Sequence, residues 1–440
     1  MRMTRLLAGS ALSLLLMAGG TALAQNSGAS TGDSSPLDHV EGEVPATGGD
    51  DAPAGGQPVE DGEANAPDQQ PAFEGQTRAA QPENPVEVST EVIAEGLPQL
   101  WSMEFLPDNR MLVATKAGDM HILSQDGEPG PAIEGVPEVM SEGQGGLLDI
   151  ALAPDFEQSN TIYFSFSEPR EDGNGTSVAK ATLTESGENG GALDNVEVIF
   201  QQMPSYDGDK HFGSRLVFSP EGHLFVTVGE RSDTPIRDEA QDLTSGLGKV
   251  FRIDPATGEA IEDNPFYGHA KIQPEIFSYG HRNLQSAALD AEGRLWTVEH
   301  GPAGGDELNR PESGINYGWP AITYGVAYSG EEIGPGRTAQ EGMAQPVYYW
   351  DPVIGPSGMA LYQGDQFPDW QDAMIIGGLV TEGLVVVRLD DAGERVATEE
   401  RIPLGERIRD VKVGSDGAIY AVSEIPDSDA STIIKVTAAE

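Results

Sequence analysis

The sequence predicts an all-β fold, a six-bladed β-propeller, on three observations. An apolar run, an acidic or Gly-bearing turn and a second apolar run recur along the chain from Val86 onward. No long stretch there carries apolar residues at the 3.6-residue spacing of an amphipathic helix. The recurrences lie tens of residues apart, which suits an array of separate small sheets better than a two-sheet sandwich with its shorter connections.

The recurring units are Met103–Ala114, Leu148–Phe166, Leu216–Gly229, Ala287–Val298, a looser Met374–Leu389, and Val411–Val422. Spread over residues 86–440, six units give blades of roughly 60 residues, longer than the roughly 40–50 of a minimal blade. The excess is assigned to loops on one face, where a rigid scaffold usually presents its functional groups.

Residues 1–24 read as a secretory signal peptide. Arg2 and Arg5 precede an apolar run from Leu6 to Met17, and Ala22-Leu23-Ala24 offers a cleavage site. That run is too short to span a bilayer, and no later run is apolar for long enough, so no membrane span is expected. Residues 25–85 hold twelve acids against one base, Arg78, and one aromatic, Phe73. Such a composition predicts a disordered acidic linker, because little apolar surface is available to offset the ordering entropy. The propeller is assigned to residues 86–440.

The net charge of −47 persists outside the linker and argues against nucleic acid or an anionic membrane as partner. It suits solubility in a salty milieu. With no cysteine, disulfides and thiolate metal sites are excluded. No Gly-x-Gly-x-x-Gly strand–helix unit occurs, which argues against NAD.

The run from Gly280 to Pro320 is the richest in chemistry. Its middle reads as a hairpin, Ser286–Leu289 and Leu295–Val298 around the Asp290–Gly293 turn. Arg282 and Asn283 stand at the entrance, with His300, Gly301, Pro302, Asp306 and Glu307 at the exit. Backbone carbonyls and carboxylates suit a hard cation such as Ca²⁺, although a plain polar hairpin would show the same spacing. Gln144 is the one amide among the glycines of Glu142–Asp149. His211 precedes the third hairpin, and an imidazole near pKa 6.5 can accept a proton near neutral pH. Arg407 and Arg409 alternate onto one side of a strand, presenting two planar forks suited to carboxylates.

Taken in order and spacing, these motifs resemble the glucose/sorbosone dehydrogenase family, the soluble aldose sugar dehydrogenases that use pyrroloquinoline quinone (PQQ). Gly280-His281-Arg282-Asn283, Glu299 through Glu307 and Gly314 through Pro320 carry the likeness, which runs roughly from Leu97 to Val436. The resemblance implies the six-bladed propeller independently. It implies that His211, in His-x-Gly-x-Arg-Leu, is the base that removes the anomeric hydroxyl proton, while Arg282 steadies negative charge developing on the quinone. Gln144, Arg231, Asn283, Arg407 and Arg409 are expected around PQQ. The carbonyls of Gly301 and Pro302 are expected on its Ca²⁺, and Glu307 and Tyr317 near a second, structural Ca²⁺. Arg215 and the Leu247–Asp254 strand, with outward Lys249 and Arg252, are expected to be structural.

The implied reaction is oxidation of an aldose to its lactone, with a separate acceptor, a cytochrome or quinone, re-oxidising the cofactor. Three positions depart from the family pattern: His300 where some relatives have Gln, Thr381 where Lys is common, and Asp351 in a loop that bears an aromatic in glucose-oxidising relatives. These leave substrate choice and cofactor affinity open. Two other readings share the fold: a non-catalytic propeller that binds carbohydrate or protein, and a Ca²⁺-dependent lactonase with converging carboxylates and amides.

Overall fold

Six four-stranded antiparallel sheets follow one another around a ring in the computed structural model, which describes residues 56–425, 428 and 430–439. The first five blades span Leu100–Ala132, Leu147–Gln201, Gly213–Tyr279, Leu284–Trp350 and Pro356–Pro403. The sixth takes Arg407–Val413, Ile419–Glu424 and Ala430–Ala438, and its outer strand comes from the other end of the propeller. Val88–Pro98 pairs there with the last strand, Val88 opposite Ala438 and Pro98 opposite Ala430, so the ring is closed by backbone hydrogen bonds.

The apolar core is divided among the interfaces between neighbouring blades. Leu112 and Ile122 of the first blade pack on Ile150 and Phe164 of the second. Tyr163 and Phe200 of the second meet Val226 and Phe251 of the third. Each sheet is covered on both faces, so its middle strands read as continuous apolar runs, as Met111–Thr115 does. Each fully buried Leu, Ile or Val contributes about 1.5–3 kcal/mol.

Five of the predicted hairpins coincide with the inner two strands of a blade. The looser one differs: Met374–Gly378 and Gly383–Leu389 are the second and third strands of the fifth blade, and its inner strand is Pro356–Leu361. That strand lacks bulky alternation because its neighbour is too close. A Cβ on Gly358 would fall 2.2 Å from Asp410 Oδ1. Lys249 is also not outward. It is fully buried, and its ammonium donates to the carbonyls of Glu239 (3.0 Å), Ala240 (3.0 Å) and Leu247 (2.6 Å), pinning the short helical turn Ile236–Gln241.

Residues 56–85 correct the linker expectation. They lie ordered along the fourth and fifth blades, with Ala66, Gln76, Ala79 and Ala80 buried. Tyr349 N–H donates to Gln76 O at 2.8 Å and Glu399 N–H to Ala80 O at 3.0 Å. Gln76 Nε2 donates to Pro346 O at 2.9 Å. Order here comes from peptide hydrogen bonds to the blades and close-fitting alanines, which a count of apolar bulk does not register. The predicted signal peptide and the linker up to residue 55 lie outside the described residues.

Around the axis the inner strands are joined by buried side-chain oxygens. Ser102 Oγ donates to Leu148 O (2.6 Å), Ser165 Oγ to Ser214 O (2.7 Å) and Thr227 Oγ1 to Leu284 O (3.1 Å). Ser286 Oγ donates to Ser357 O (2.6 Å) and Ser357 Oγ to Ile408 O (2.6 Å). Leu100 N–H donates to Ser431 Oγ (2.9 Å), completing the circuit. Inside it sits Arg215. Its Nη1 lies 2.9 Å from Asp149 Oδ1 and 2.9 Å from Asp410 Oδ1. Nε donates to Gln285 O at 2.8 Å, and the guanidinium stands 4.4 Å from the Trp101 ring centroid. One cation thus ties the third blade to the first, second, fourth and sixth. Arg215→Met would remove the cation in direct contact with two buried carboxylates, leaving only the charge of Lys412 to oppose them, and is expected to cost about 3–5 kcal/mol, read as a lowered denaturation midpoint.

Candidate functional site

Loops from all six blades converge on one cavity of about 550 Å³. It is lined by Gln144, His211, Arg282, Asn283, Gly301, Pro302, Arg407 and Arg409, residues scattered through the chain that the sequence proposed as one site. His300, Asp306, Gln285, Trp101 and Glu424 join them.

His211 sits in a loop entering the third blade with φ of 51°, a left-handed conformation held from several sides. Its N–H donates to Gln144 Oε1 at 2.8 Å, and Gly213 N–H donates to Asn283 Oδ1 at 3.1 Å. Nδ1 lies 3.1 Å from Oε2 of the fully buried Glu230. A carboxylate there requires the proton on Nδ1 and leaves Nε2 as the basic nitrogen. Burial lowers the imidazole pKa, and the charges of Arg282 and Arg231 lower it further against the opposing pull of Glu230. Burial works against the Glu230 carboxylate too, but His211 and Arg282 outweigh it and hold its pKa below the usual range. Sequence reasoning missed Glu230. The only signal was its position at the end of the strand that pairs with the one His211 precedes.

Arg282 is fixed at its backbone by Glu299, which accepts its N–H, and at its side chain by Nη1 donating to His300 O at 2.9 Å. Its Nε is buried with no partner among the described residues. Opposite stand Arg407 and Arg409, both held by Glu424: Arg407 Nη2 at 3.2 Å from Oε1, Arg409 Nε at 2.8 Å from Oε2. Arg409 Nη1 also donates to Gln285 Oε1 at 2.9 Å. Burial alone would raise the Glu424 pKa; the two guanidinium groups bring it below the ordinary value. The pair therefore keeps one net positive charge. Glu424 was findable from hairpin register, since it lies directly opposite Arg407.

Asp306 shapes the exit of the fourth-blade hairpin. Its carboxylate accepts N–H groups from Gly301, Ile354 and Gly355, each at 2.8 Å, joining the 300–306 turn to the fifth-blade loop. Burial pushes its pKa up to about 6 despite these bonds. The carbonyls of Gly301 and Pro302 accept no backbone hydrogen bond among the described residues, so they are available to a ligand. Among those residues no three His, Cys, Asp or Glu side chains converge. A cation at the cavity would therefore rest on carbonyl oxygens and on the ligand it accompanies. His300 also lines the cavity, and burial followed by the charge of Arg282 holds its pKa well below 6.5, so the ring is neutral.

Three of the expected residues lie outside this cavity, and of these only Arg231 was expected within it. Arg231 does not line the cavity. It is fully buried, with Nε donating to Lys210 O at 2.9 Å and Nη2 to Asn174 Oδ1 at 2.6 Å, and its guanidinium is 4.0 Å from the Phe212 ring. The connection between the second and third strands of the third blade folds it back under the His211 loop, where it is a brace. Glu307 and Tyr317 line an adjoining small pocket of about 10 Å³ together with Glu299. Burial first, and then the charge of Glu299, raises the Glu307 pKa well above the usual carboxylate range. The Tyr317 phenol donates to Arg310 O and its ring stacks on His281 at 4.7 Å, so only its carbonyl is left for a cation. Thr381 stays out of the cavity, its Oγ1 buried without a partner among the described residues.

Fold and cavity together define a propeller whose blade loops build one pocket with a buried imidazole–carboxylate pair and several guanidinium groups around it. Residues 97–434 match the Glucose / Sorbosone dehydrogenase family, and the chain belongs to that family. Aldose sugar dehydrogenase YliI of Escherichia coli (strain K12) is 40% identical over 360 residues, covering 80% of this chain and 94% of the relative. The crystal structure of the soluble aldose sugar dehydrogenase from Escherichia coli in the apo-form superposes with a TM-score of 0.74 at 40% identity, over 80% of this chain and 100% of that one. The PQQ-bound form of the aldose sugar dehydrogenase from Streptomyces coelicolor gives a TM-score of 0.64 at 28% identity, over 80% of this chain and 99% of that one.

The His211 imidazole is expected to titrate below 6.5 in the folded protein. Because Glu230 favours the protonated ring, Glu230→Gln should lower that pKa further. Nuclear magnetic resonance of the ring across pH 4–8 checks both; an unchanged or raised value in the variant would contradict the assigned dyad.

Proposed function

We propose that this protein is a periplasmic or secreted PQQ-dependent dehydrogenase that oxidises the anomeric C1 hydroxyl of aldose sugars to lactones. The observation that carries the reading is the meeting of the His211–Glu230 pair, Arg282 and the Arg407/Arg409 pair in one cavity. The residues present fit the cofactor. Arg407 and Arg409 suit its carboxylates, the unpartnered Nε of Arg282 suits a quinone oxygen, and the open carbonyls of Gly301 and Pro302 suit a Ca²⁺ beside it. PQQ with Ca²⁺, when bound, supplies the electrophilic carbon that accepts hydride from C1.

The chain's own contribution is proton handling, charge and position. His211 Nε2 takes the C1 hydroxyl proton, and Glu230 holds the ring in the required tautomer and steadies the imidazolium. Arg282 balances negative charge that builds on the ligand, inside a site where burial strengthens the interaction. Gln144 and Asn283 keep the His211 loop in place through the bonds described above. The second Ca²⁺ would sit at Glu307, Glu299 and the Tyr317 carbonyl, relieving two neighbouring buried carboxylates. Export follows from the signal peptide read in residues 1–24, and a cytochrome or quinone outside the cytoplasm would take the electrons onward.

The test adds PQQ and Ca²⁺ to the purified protein and follows reduction of an artificial dye with a panel of aldoses. Turnover is expected with at least one sugar; none, together with no quinone uptake, would favour a binding module instead. His211→Ala should lower kcat at least about 100-fold while leaving quinone uptake near that of the parent. Arg407→Ala should weaken quinone uptake roughly tenfold or more, measured by titration of the apo-protein, because it removes a charge-assisted contact.

A further inference from the structure

The ordered segment 56–85 precedes the residues matched to the family, yet it reaches the cavity. Asn65 is part of the lining. Its position is built, not incidental. The backbone N–H groups of Asn65 and Ala66 donate to the two carboxylate oxygens of Asp351, at 2.5 and 3.0 Å. Val353 N–H donates to Asn65 Oδ1 at 3.1 Å, which identifies that atom as the oxygen and leaves Nδ2 as a donor with no partner among the described residues. Arg78 clamps the same turn, donating to Asp351 O at 2.9 Å and Gly62 O at 2.8 Å.

The cavity is graded along its depth. His211 and Arg282 are each 6% exposed and lie on the floor, whereas Tyr328 at 81% and Val380 at 55% mark the mouth. The most exposed lining residues, Tyr328 and Val380, are neutral, whereas the deeply buried Arg282 is a cation. An uncharged polyol is recognised by neutral amides and by the flat faces of aromatic side chains, not by guanidinium forks. Asn65 offers the amide and Tyr328 the aromatic face, with Val353 N–H holding the Asn65 side chain.

We propose that the 56–85 segment is a fixed wall of the sugar subsite, and that Asn65 is a specificity-determining residue whose Nδ2 donates to a ring hydroxyl remote from C1, with Tyr328 facing the ring. Asp351 is the positioning residue that seats Asn65. This inference rests on the dehydrogenase reading of the cavity and adds a substrate contact that lies outside the family-matched region.

Full-length protein loaded with PQQ and Ca²⁺ provides the test, with kcat and KM measured over a panel of aldoses. Asn65→Ala is expected to raise KM about threefold to tenfold for the preferred sugar, the range of one lost hydrogen bond, with kcat within about twofold. Asn65→Gln should recover part of the loss. Asp351→Ala should reproduce the KM change and expose the 60–66 turn to protease, while quinone uptake by the apo-protein stays unchanged in every variant. Asn65 is exposed, so its variants will fold even if Asp351→Ala does not. An active parent with unaltered KM values and sugar preference in Asn65→Ala overturns this inference alone. A parent that oxidises no aldose overturns both this inference and the reading on which it rests.

Discussion

Arg215, held between Asp149 and Asp410 at the axis, is the interaction on which the rest depends. A propeller has no single core. Its apolar surface is distributed among blade interfaces, each of which could be satisfied at a slightly different ring diameter. The hydroxyl circuit and the central guanidinium remove that freedom, because hydrogen bonds and a buried ion pair tolerate little displacement. Fixing the inner strands fixes where their loops begin, and the cavity is made of those loops.

The second theme is how an acidic chain keeps cations where they are useful. With 25 basic residues against 72 acidic ones, every buried guanidinium has a neighbour assigned to it. Arg407 and Arg409 share Glu424, and Arg215 shares two aspartates. Arg231 is satisfied by carbonyls and an amide, so its charge is spent on architecture. Arg282 lines the cavity with its Nε buried and without a partner among the described residues. Burial and the charge of Arg282 together hold the His211 and His300 imidazoles below their ordinary pKa.

The pieces around the mouth have a different origin from those on the floor. Floor residues come from the propeller's own strand ends. The mouth borrows from a segment that composition alone assigns to disorder, seated by one carboxylate, Asp351. Mouth and floor are thereby placed on separately anchored elements, so a change at one leaves the anchoring of the other in place.

Strand period, turn chemistry and recurrence were enough to read six blades. Motif order was enough to group His211, Arg282, Asn283, Arg407 and Arg409 as one site. These are local signals, carried by residues within a few positions of each other. Glu424 was legible only through the register that sets it opposite Arg407, and Glu230 was not, because a carboxylate in an acidic chain acquires meaning only from what stands opposite it. Arg231 was misplaced for the complementary reason: it follows the same hairpin that His211 precedes, but a backbone with φ of 71° turns it under the His211 loop. Pro356–Leu361 hid its strand character because Asp410, from another blade, leaves no room for side chains there. The 56–85 segment owes its order to hydrogen-bonding partners some 270 residues or more away. The sequence determines which groups exist and which short elements carry them; only ring closure decides which of those groups meet, since that depends on contacts between blades that no local pattern encodes.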